Sequence, residues 1–370
     1  MLARPKIALI APSARTFGGQ ALHASMLTEQ LKGEGYEVQF IPIDPEFSRR
    51  FRWVRRVPYI RTLVNQCLYL PGLIRLRRSD IVQASSASYW SFLLAPLPAL
   101  LSGRLFGKPV VLNYHSGEAE DHLAHWGRLI HPWLKLVDEI VVPSEYLRRV
   151  FATYGYRARV IHNTIDIERF QYRVRKPLRP KFLSIRNFEW YYGVDHTIRA
   201  YALLKTRYPE ATLSIVGAGS QETELKRLCR SLGIEGIRFL GAVDPADMPS
   251  VHDGADIFLN SSLIDNQPLS ILEAIASGLP VVSTGVGDIA NMLEDGVTGT
   301  IVPERDSAAM AAAATRLLEY PDRARSMASQ AYAQLDRYSW SRVGSQWSTL
   351  YNDIMAGNHM RRMEGIHRAA

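Results

Sequence analysis

The sequence predicts an α/β protein of two domains, each a doubly wound parallel sheet. At 370 residues the chain exceeds one typical hydrophobic core. Short aliphatic runs alternate with helix-length amphipathic segments, and this alternation runs through twice. Near-continuous apolar strands separated by helices are typical of parallel sheets covered on both faces. The helix candidates include Gln20–Gly33, Gly193–Tyr208 and Gln221–Leu232.

The strand candidates divide into two groups of six. In the first half they are Ile7–Ala11, Glu37–Ile43, Ile81–Ala84, Val110–Tyr114, Glu139–Val142 and Val160–His162. In the second half they are Phe182–Ile185, Leu213–Val216, Ile237–Leu240, Ile257–Asn260, Val281–Ser283 and Gly299–Val302.

A basic, proline-containing segment without hydrophobic periodicity, QYRVRKPLRPK at 171–181, separates the two groups and predicts the domain boundary. We therefore assign an N-terminal domain to residues 1–172 and a C-terminal domain to 180–345. A C-terminal helix, at 346–370, is expected to pack back on the first domain. Open α/β sheets bind ligands at the carboxyl ends of their strands. Two such sheets facing each other across a cleft place the predicted site in that cleft.

The composition indicates the charge of the binding partner and the cellular compartment of the protein. The net charge of +8 indicates an anionic partner, for which nucleic acid, a phosphorylated metabolite and a membrane surface all qualify. Cys67 and Cys229 are too far apart in sequence to predict a disulfide within a domain, and two cysteines do not make a zinc site. This cysteine usage favours a protein of the reducing cytosol. The N-terminal apolar run is too short for a secretion signal, and YWSFLLAPLPALLSG is too short to span a bilayer. A cytoplasmic protein is expected.

The stretch DNQPLSILEAIASGLPVVSTGVG, residues 265–287, combines two acids with a helix start. Pro268 is suited to a first helical position, and the free N–H groups that follow it favour an anion. Glu273, one turn further in, repels a phosphate but can accept hydrogen bonds from a vicinal diol such as a ribose. Asp265 can accept from hydroxyls on the other side of the phosphates. This combination predicts a nucleoside diphosphate sugar; a capped helix with two solvated acids is the structural alternative.

Several segments in order resemble one family. DNQPLSILEAIASGLPVVSTGVGDI and EDGVTGTIVP resemble the donor-binding signature of the retaining glycosyltransferases of family four, which have the GT-B fold of two Rossmann-like domains. FGGQALHASMLTEQLKGEGYEV is similar to the family's first glycine-rich loop and helix. VVPSEYLRRVFATYG and VIHNTIDIERF resemble the end of its first domain, and RNFEWYYGVDHTIRAY and IVGAGSQETELKRL the opening of its second. The resemblance covers most of the chain.

The resemblance implies roles for individual residues. Glu273 would hold the ribose hydroxyls, Asp265 a hydroxyl of the donor sugar, and Arg186 the diphosphate. His115 would lie against the donor sugar. The remaining donor-binding candidates contribute main-chain groups or close approach of the backbone: Gly18, Gly19, Gly217, Asn266, Gln267, Leu269 and Ser270. We take His115, Arg186 and Asp265 as the catalytic candidates. The resemblance also implies that neither a cofactor nor a metal is needed.

One departure from the family concerns its second phosphate cation. Family members usually carry a lysine five residues after the arginine, followed by glycine. Here the run is RNFEWYYG, one residue longer, with Tyr191 and Tyr192 where the lysine would stand. The first acid of the family motif is usually glutamate, and Asp265 is shorter by one methylene.

Other interpretations rest on weaker patterns. HSGEAEDHLAHW gathers histidines and acids of metal-ligating type, but their spacing matches no compact metal signature. VGAGSQ and the pair Gly18–Gly19 do not complete a dinucleotide fingerprint, and aromatic–basic runs lack a recognised RNA-binding module. A sugar-nucleotide epimerase with the GT-B fold, or a non-catalytic sugar-nucleotide or glycan-binding subunit, are the alternatives to a transferase.

The segment from Ser48 to Arg78 holds nine arginines and no acid, interleaved with large apolar residues. Such interleaving favours contact with an anionic membrane interface. The alternative interpretations are a groove for an acidic acceptor and ordinary core helices. The arginines expected at the surface are Arg49, Arg50, Arg52, Arg55 and Arg56. We therefore expect a transferase of hexose from a nucleoside diphosphate sugar to a hydroxyl of a glycan, lipid or small molecule. A peripheral position on the inner face of the cytoplasmic membrane is a further expectation.

Overall fold

The computed structural model describes residues 4–13, 18–46, 57–86 and 88–369. The chain forms two compact units. Unit 1 comprises residues 1–164 and 340–370, and unit 2 comprises 165–339. Residues 165–172, which the sequence assigned to the first domain, thus belong to unit 2.

Each unit contains one six-stranded parallel sheet. The strands of unit 1 are β1 Ile7–Ala11, β2 Val38–Pro42, β3 Ile81–Ser86, β4 Val110–Tyr114, β5 Glu139–Val142 and β6 Arg159–Val160. Those of unit 2 are β7 Lys181–Ile185, β8 Thr212–Val216, β9 Ile237–Gly241, β10 Ile257–Asn260, β11 Val281–Thr284 and β12 Thr300–Val302. The predicted α/β class and the two doubly wound sheets are confirmed, with strand ends shifted by one or two residues.

The described α-helices cover both sheets. They are α1 Gly19–Gly33, α2 Pro58–Gly72, α3 Trp90–Leu94, α4 Pro96–Leu105, α5 Ala119–Leu134, α6 Glu145–Thr153, α7 Val194–Arg207, α8 Glu222–Ser231, α9 Met248–Asp253, α10 Leu269–Ala276, α11 Ile289–Met292, α12 Ser307–Glu319, α13 Pro321–Ala333 and α14 Trp340–Ala369. Short 3-10 helices lie at Leu73–Arg78, Ile167–Arg169, Trp190–Tyr192, Pro245–Asp247 and Leu335–Tyr338.

Strand order fixes where each sheet can bind a ligand. The sheet of unit 1 has the order β2-β1-β3-β4-β5-β6, so its strand order reverses between β1 and β3. The sheet of unit 2 has the order β12-β11-β10-β7-β8-β9, and its reversal falls between β7 and β10. Loops diverge at these reversals and leave a crevice beyond the carboxyl ends of the strands. The residues that follow β7 and β10 are therefore the first place to look for a site in unit 2.

The C-terminal helix α14 packs on the sheet of unit 1. Trp347 and Tyr351 are fully buried in the same apolar cluster as Ile7 and Val111. The Tyr351 hydroxyl donates to the Gln83 side chain at 2.7 Å. The helix buries two large aromatic rings against this sheet, and the buried hydroxyl of Tyr351 has a hydrogen-bond partner there. It therefore belongs to unit 1 although it follows unit 2 in sequence.

The basic segment 171–181 is part of unit 2 rather than a linker. Arg175 is almost completely buried, and burial lowers the pKa of its guanidinium to about 10. Its nitrogens donate to the main-chain carbonyls of Ala255 at 3.3 Å and His252 at 3.1 Å, and also to that of Ser277. These carbonyls solvate the charge inside the unit, which a pattern of basic residues and prolines does not reveal.

Candidate active site

Arg186 is the centre of the candidate site in unit 2. It follows β7 directly, and its guanidinium extends across to residues that follow β10. Its Nε donates to Asn260 Oδ1 at 2.8 Å and to Ser262 Oγ at 3.0 Å. Its Nη1 donates to Ser270 Oγ at 2.7 Å. The arginine is thereby held at the reversal of strand order, where the ends of β7 and β10 are neighbours.

Asp265 forms an ion pair with this guanidinium, with Arg186 Nη2 and Asp265 Oδ2 separated by 2.9 Å. The two side chains are only 9% and 11% exposed. Asp265 Oδ2 also accepts from the Ser262 hydroxyl at 2.9 Å, and Oδ1 accepts from the main-chain N–H of Asn266 at 2.9 Å. The predicted sugar-binding acid and the predicted diphosphate-binding arginine thus face each other in this structure, a pairing that the sequence analysis did not foresee.

Helix α10 begins beside this pair. Pro268 is its N-cap residue with an extended backbone, so the helix starts at Leu269, one residue later than predicted. The sequence predicts that the N–H groups of Leu269, Ser270 and Ile271 point outward, but that of Ile271 donates to the Pro268 carbonyl at 3.2 Å and is already bonded. Ser270 presents its hydroxyl to Arg186. The helix start thus offers main-chain N–H groups and a hydroxyl at one point, an arrangement suited to an anion.

Glu273 lies one turn inside α10 and is buried. Burial raises the pKa of its carboxyl to about 7, although Arg169 and Arg186 attract the negative charge and act to lower it. Its Oε2 is 3.9 Å from Nε2 of His252, a buried residue of α9. The structural alternative of two solvated acids does not hold for Glu273, because this carboxyl is withdrawn from bulk water. Sequence analysis missed His252, since one histidine in a short apolar helix carries no signal of its own.

The remaining loops around the site are shaped by glycines. Gly287 has a φ of +61°, and a Cβ there would collide with the Asp265 carbonyl oxygen. The following residue, Asp288, donates its N–H to the Asn266 carbonyl at 3.1 Å. The turn at 285–288 therefore holds the loop that carries Asp265 and Asn266. Asn266 and Gln267, both predicted to meet the donor, are buried beside it.

Gly217, a predicted donor-binding residue, is also constrained by packing within unit 2. Its φ is +148°, and a Cβ would collide with the carbonyl oxygen of Arg186. The N–H of Arg186 donates to Val216 O at 3.0 Å, and Phe188 donates to Ala218 O at 3.0 Å. Packing of this loop against the backbone of 186–188 therefore suffices to require glycine at 217.

The aromatic residues that replace the family's lysine pack around Arg186. The guanidinium carbon of Arg186 lies 5.6 Å from the centroid of the Tyr192 ring, within the range of a cation–π contact. The Tyr191 carbonyl accepts from the N–H groups of Leu263 at 2.8 Å and Ile264 at 3.0 Å. Gly193, at φ +58°, allows the turn, since a Cβ there would collide with the Ser261 carbonyl. The insertion thus supports the arginine and its loop without supplying a second charge.

In unit 1 the predicted residues gather at the end of β3. The carbonyl of Ser86 accepts from the Gln20 side chain at 3.0 Å and from the main-chain N–H of His115 at 3.1 Å. The rings of His115 and His23 have centroids 4.9 Å apart. Burial, and the neighbouring His23, hold the pKa of His115 well below its usual value, so its imidazole is neutral.

The glycines at the start of α1 belong to the same region of unit 1. A Cβ added to Gly19 meets no described atom within 4 Å. Internal packing of the described residues therefore does not by itself require a glycine at position 19, in contrast to Gly217.

The acidic and histidine-rich segment after β4 shows no metal centre. Among the described residues, no three His, Cys, Asp or Glu side chains are arranged to hold a metal ion. His122 Nδ1 instead lies 2.9 Å from the Tyr114 hydroxyl, and His125 pairs with Asp121 at 2.9 Å. Burial lowers the pKa of His122 to about 4. The position of His122 is thus explained by its buried contact with Tyr114, and that of His125 by a surface ion pair with Asp121.

The structure describes residues 57–78 of the arginine-rich segment. Arg49, Arg50, Arg52, Arg55 and Arg56 lie outside the described residues. Helix α2 exposes Tyr59 at 89% and Leu63 at 65%, whereas Tyr69 is buried and donates its hydroxyl to Ala95 O at 2.7 Å. Arg61 and Arg75 are exposed on the same segment. Within the described ranges, no helix has the length and apolarity required to cross a membrane.

Comparison with known proteins agrees with this architecture. Residues 166–334 match the family model of glycosyl transferases group 1, and residues 17–169 match that of glycosyltransferase family 4. The chain is 30% identical over 292 residues to the GDP-mannose-dependent alpha-(1-6)-phosphatidylinositol monomannoside mannosyltransferase of Mycolicibacterium smegmatis, covering 70% of this chain and 75% of the relative. It is 26% identical over 366 residues to the phosphatidyl-myo-inositol mannosyltransferase of Mycobacterium leprae, covering 94% and 97%.

Solved structures share the fold at low identity. The HepE protein of Anabaena, crystallised with UDP and glucose, superimposes with a TM-score of 0.72 at 17% identity, covering 94% of this chain and 100% of that chain. The sucrose-phosphate synthase of Thermosynechococcus elongatus gives a TM-score of 0.72 at 19% identity, covering 96% and 100%. The fold and the site at its second sheet therefore define a glycosyltransferase of the GT-B class. The chain belongs to the glycosyl transferases group 1, within glycosyltransferase family 4.

Proposed function

We propose that this glycosyltransferase moves a hexose from a nucleoside diphosphate sugar to a hydroxyl acceptor, with retention of anomeric configuration. The observation that carries the proposal is the position of Arg186. Its guanidinium is fixed at the reversal of strand order beside the start of α10, with Glu273 one turn further in. A diphosphate accepts from a guanidinium and from helix N–H groups, and a ribose diol donates to a carboxylate.

The diphosphate of the donor can displace the Asp265 carboxylate from its ion pair with Arg186. When a diphosphate binds the outer edge of the guanidinium, Asp265 is released and accepts from a hydroxyl of the donor sugar. Nε and part of Nη1 stay bonded to Asn260, Ser262 and Ser270, so the arginine needs no reorganisation at the moment of reaction. A preorganised cation of this kind stabilises the negative charge that grows on the leaving diphosphate.

Retention follows if the acceptor attacks the face from which the diphosphate leaves. The departing phosphate oxygen then takes the proton of the acceptor hydroxyl, and the bond from the anomeric carbon to the acceptor oxygen replaces the bond to phosphate. No cofactor or metal enters this scheme. His115 of unit 1, neutral and with a lowered pKa, is suited to hydrogen bonding with a sugar hydroxyl rather than to carrying a charge.

Incubation with a panel of nucleotide sugars that includes UDP-glucose and GDP-mannose tests this function. GDP-mannose is included because a relative depends on it, and UDP-glucose because a structural neighbour was crystallised with it. We expect transfer to an added acceptor, or slow release of free sugar, with the anomeric configuration retained. Conversion of the donor to an epimer, or an inverted product, would contradict the proposal.

We further propose that the exposed face of α2 rests on an anionic membrane where the acceptor is a lipid-linked hydroxyl. The exposed side chains of this segment include the apolar Tyr59 and Leu63 and the cation Arg61 on α2, and Arg75 in the 3-10 helix that follows, so the segment complements both the apolar and the charged parts of such an interface. Two of the relatives are named for phosphatidylinositol-type acceptors.

Replacement of Tyr59 and Leu63 by serine is expected to reduce binding to anionic vesicles, because it removes the apolar contact. Binding of the native protein should also weaken as salt rises, since exposed charges are screened within about 10 Å at 0.1 M. Co-flotation with vesicles measures both effects. Tyr320→Ser, at an exposed aromatic residue of unit 2, is the matched control and should bind as the native protein does. Native protein that fails to float with anionic vesicles at low salt would refute the membrane proposal.

A further inference from the structure

His252 is a buried histidine that the proposed reaction does not use. It belongs to α9 and has no exposed surface. Its ring stacks on Phe258, with centroids 6.4 Å apart, and meets Phe170 edge-on at 5.4 Å. The aromatic neighbours fix the plane of the imidazole, so its two nitrogens point in defined directions.

The hydrogen bonds of His252 define its tautomer. Nδ1 lies 2.9 Å from the main-chain carbonyl oxygen of Met248. A carbonyl can only accept, so Nδ1 carries the proton and Nε2 of the neutral ring carries a lone pair. Nε2 is buried and has no hydrogen-bond partner among the described residues. A buried acceptor without a donor costs free energy, and such a group calls for an explanation.

Glu273 is the donor that this lone pair lacks. Its Oε2 lies 3.9 Å from Nε2, longer than a hydrogen bond, and it is the carboxyl oxygen placed to supply such a donor when protonated. Burial lowers the pKa of His252 to about 4 and raises the pKa of Glu273 to about 7. A single proton shared by the pair therefore resides on the carboxyl.

The groups around the pair act in both directions, and burial outweighs those that oppose this distribution. Arg169, from the 3-10 helix at Ile167–Arg169, and Arg186 act to lower the pKa of Glu273. The main-chain carbonyls of Met248 and Ser270 act to raise the pKa of His252, whereas Arg175 acts with burial to lower it. A protonated His252 beside Arg175 would place two cations together inside the unit.

We propose that His252 is a positioning residue for Glu273, whose protonated carboxyl hydrogen-bonds to Nε2 of His252 and, once ionised, turns to the ribose hydroxyls of the donor. The inference rests on the proposed function, because it takes Glu273 as the ribose ligand. One carboxyl then has two alternative partners, and a single proton selects between them. Donor binding then releases this proton to the solvent and leaves Glu273 as a carboxylate, whose charge is attracted by Arg169 and Arg186.

The consequence is a donor affinity that depends on pH. The carboxylate form binds the diol, and its pKa is lower in the complex than in the free protein. As pH falls below about 7, affinity is therefore expected to fall, up to about tenfold per pH unit for one proton. In a nucleotide sugar each phosphorus carries one ester bond, one anhydride bond and a single strongly acidic oxygen, so the ligand itself does not titrate in this range.

Calorimetry with UDP-glucose or GDP-mannose, from about pH 6 to about pH 8.5 in buffers of different ionisation enthalpy, measures affinity and proton release together. Native protein should release close to one proton at the acidic end. In His252→Gln an amide N–H can donate to the carboxylate and favour its ionised form, so the loss of affinity should move to lower pH. Affinity at the alkaline end should stay near the native value. His125→Gln, at an exposed histidine, is the matched control and should keep the native profile.

The outcomes separate this inference from the proposed function. If Glu273→Gln weakens binding and removes the pH dependence, but His252→Gln keeps the native profile, the role of His252 is refuted and the donor site stands. Absence of proton release by the native protein refutes it as well. If Glu273→Gln binds donor as tightly as the native protein, the assignment of the ribose site itself is wrong. Thermal unfolding of His252→Gln establishes that the variant is folded.

Discussion

Arg186→Lys is expected to lower turnover by about a hundredfold or more, nearly as much as Arg186→Ala, the scale of one lost charge-stabilising donor. The guanidinium bonds Asn260, Ser262 and Ser270 while its Nη2 faces Asp265. A planar guanidinium can keep its hydrogen bonds to these three side chains while Nη2 donates to a phosphate. A lysine has a single nitrogen and cannot make both sets of hydrogen bonds in this geometry. Release of nucleoside diphosphate from the donor, followed over time for each variant, measures the effect.

Stability has to be separated from catalysis in these variants. Loss of Arg186 leaves Asp265 nearly buried without its cation, and breaking a buried pair costs about 3–5 kcal/mol. The double variant Arg186→Ala with Asp265→Asn removes the unpaired charge and should fold, yet remain slow. Arg207→Ala, which removes an exposed ion pair with Glu319, is the matched control and should turn over normally. Turnover by Arg186→Ala within a few-fold of the native rate would show that the diphosphate lies elsewhere.

Glu273→Gln is expected to weaken nucleotide binding by about 1.5–3 kcal/mol, roughly ten- to a hundredfold. The amide keeps the shape of the side chain but replaces one charged acceptor by a donor, so it cannot accept from both hydroxyls of a ribose. Titration of UDP and GDP into native and variant protein by calorimetry at about pH 8 checks this. Equal affinities would exclude Glu273 from the ribose site.

The same variant should not be less stable than the native protein. Burial raises the pKa of Glu273 from 4.5 to about 7, so the folded state binds more protons than the unfolded state in this window. Stability therefore falls as pH rises through the window, by about 3 kcal/mol in total, and stays reduced above it. A glutamine carries no charge and avoids this penalty. Glu273→Gln should therefore unfold at a higher temperature than the native protein at about pH 8, and the difference should shrink towards about pH 4.5.

The sequence predicted the individual residues of the site better than their contacts. The stretch from Asp265 to Glu273 combines acids with a helix start and was accessible from local pattern, whereas Arg186 was pointed out only by the resemblance to the family. The ion pair between Arg186 and Asp265 depends on β7 and β10 being neighbours, which follows from the strand order of the sheet. Strand order is a long-range property, and alternation of strands and helices does not determine it.

The local sequence pattern also did not predict which side chains are buried. Local pattern left open whether Glu273 is a solvated acid, but α10 is buried along its whole length, and burial raises the pKa of this carboxyl to about 7. Arg175 was assigned to a linker and lies inside unit 2, solvated by carbonyls. Gly217 was assigned to the ligand, and the structure supplies a packing reason for it.

A crystal soaked with UDP or GDP tests the central claim most directly, namely that Arg186 and the start of α10 hold the donor diphosphate. We expect phosphate oxygens within hydrogen-bond distance of the Arg186 guanidinium and of a main-chain N–H at Leu269 or Ser270, with the ribose on Glu273 and the ion pair to Asp265 opened. A nucleotide bound elsewhere, with the pair between Arg186 and Asp265 intact, would contradict it.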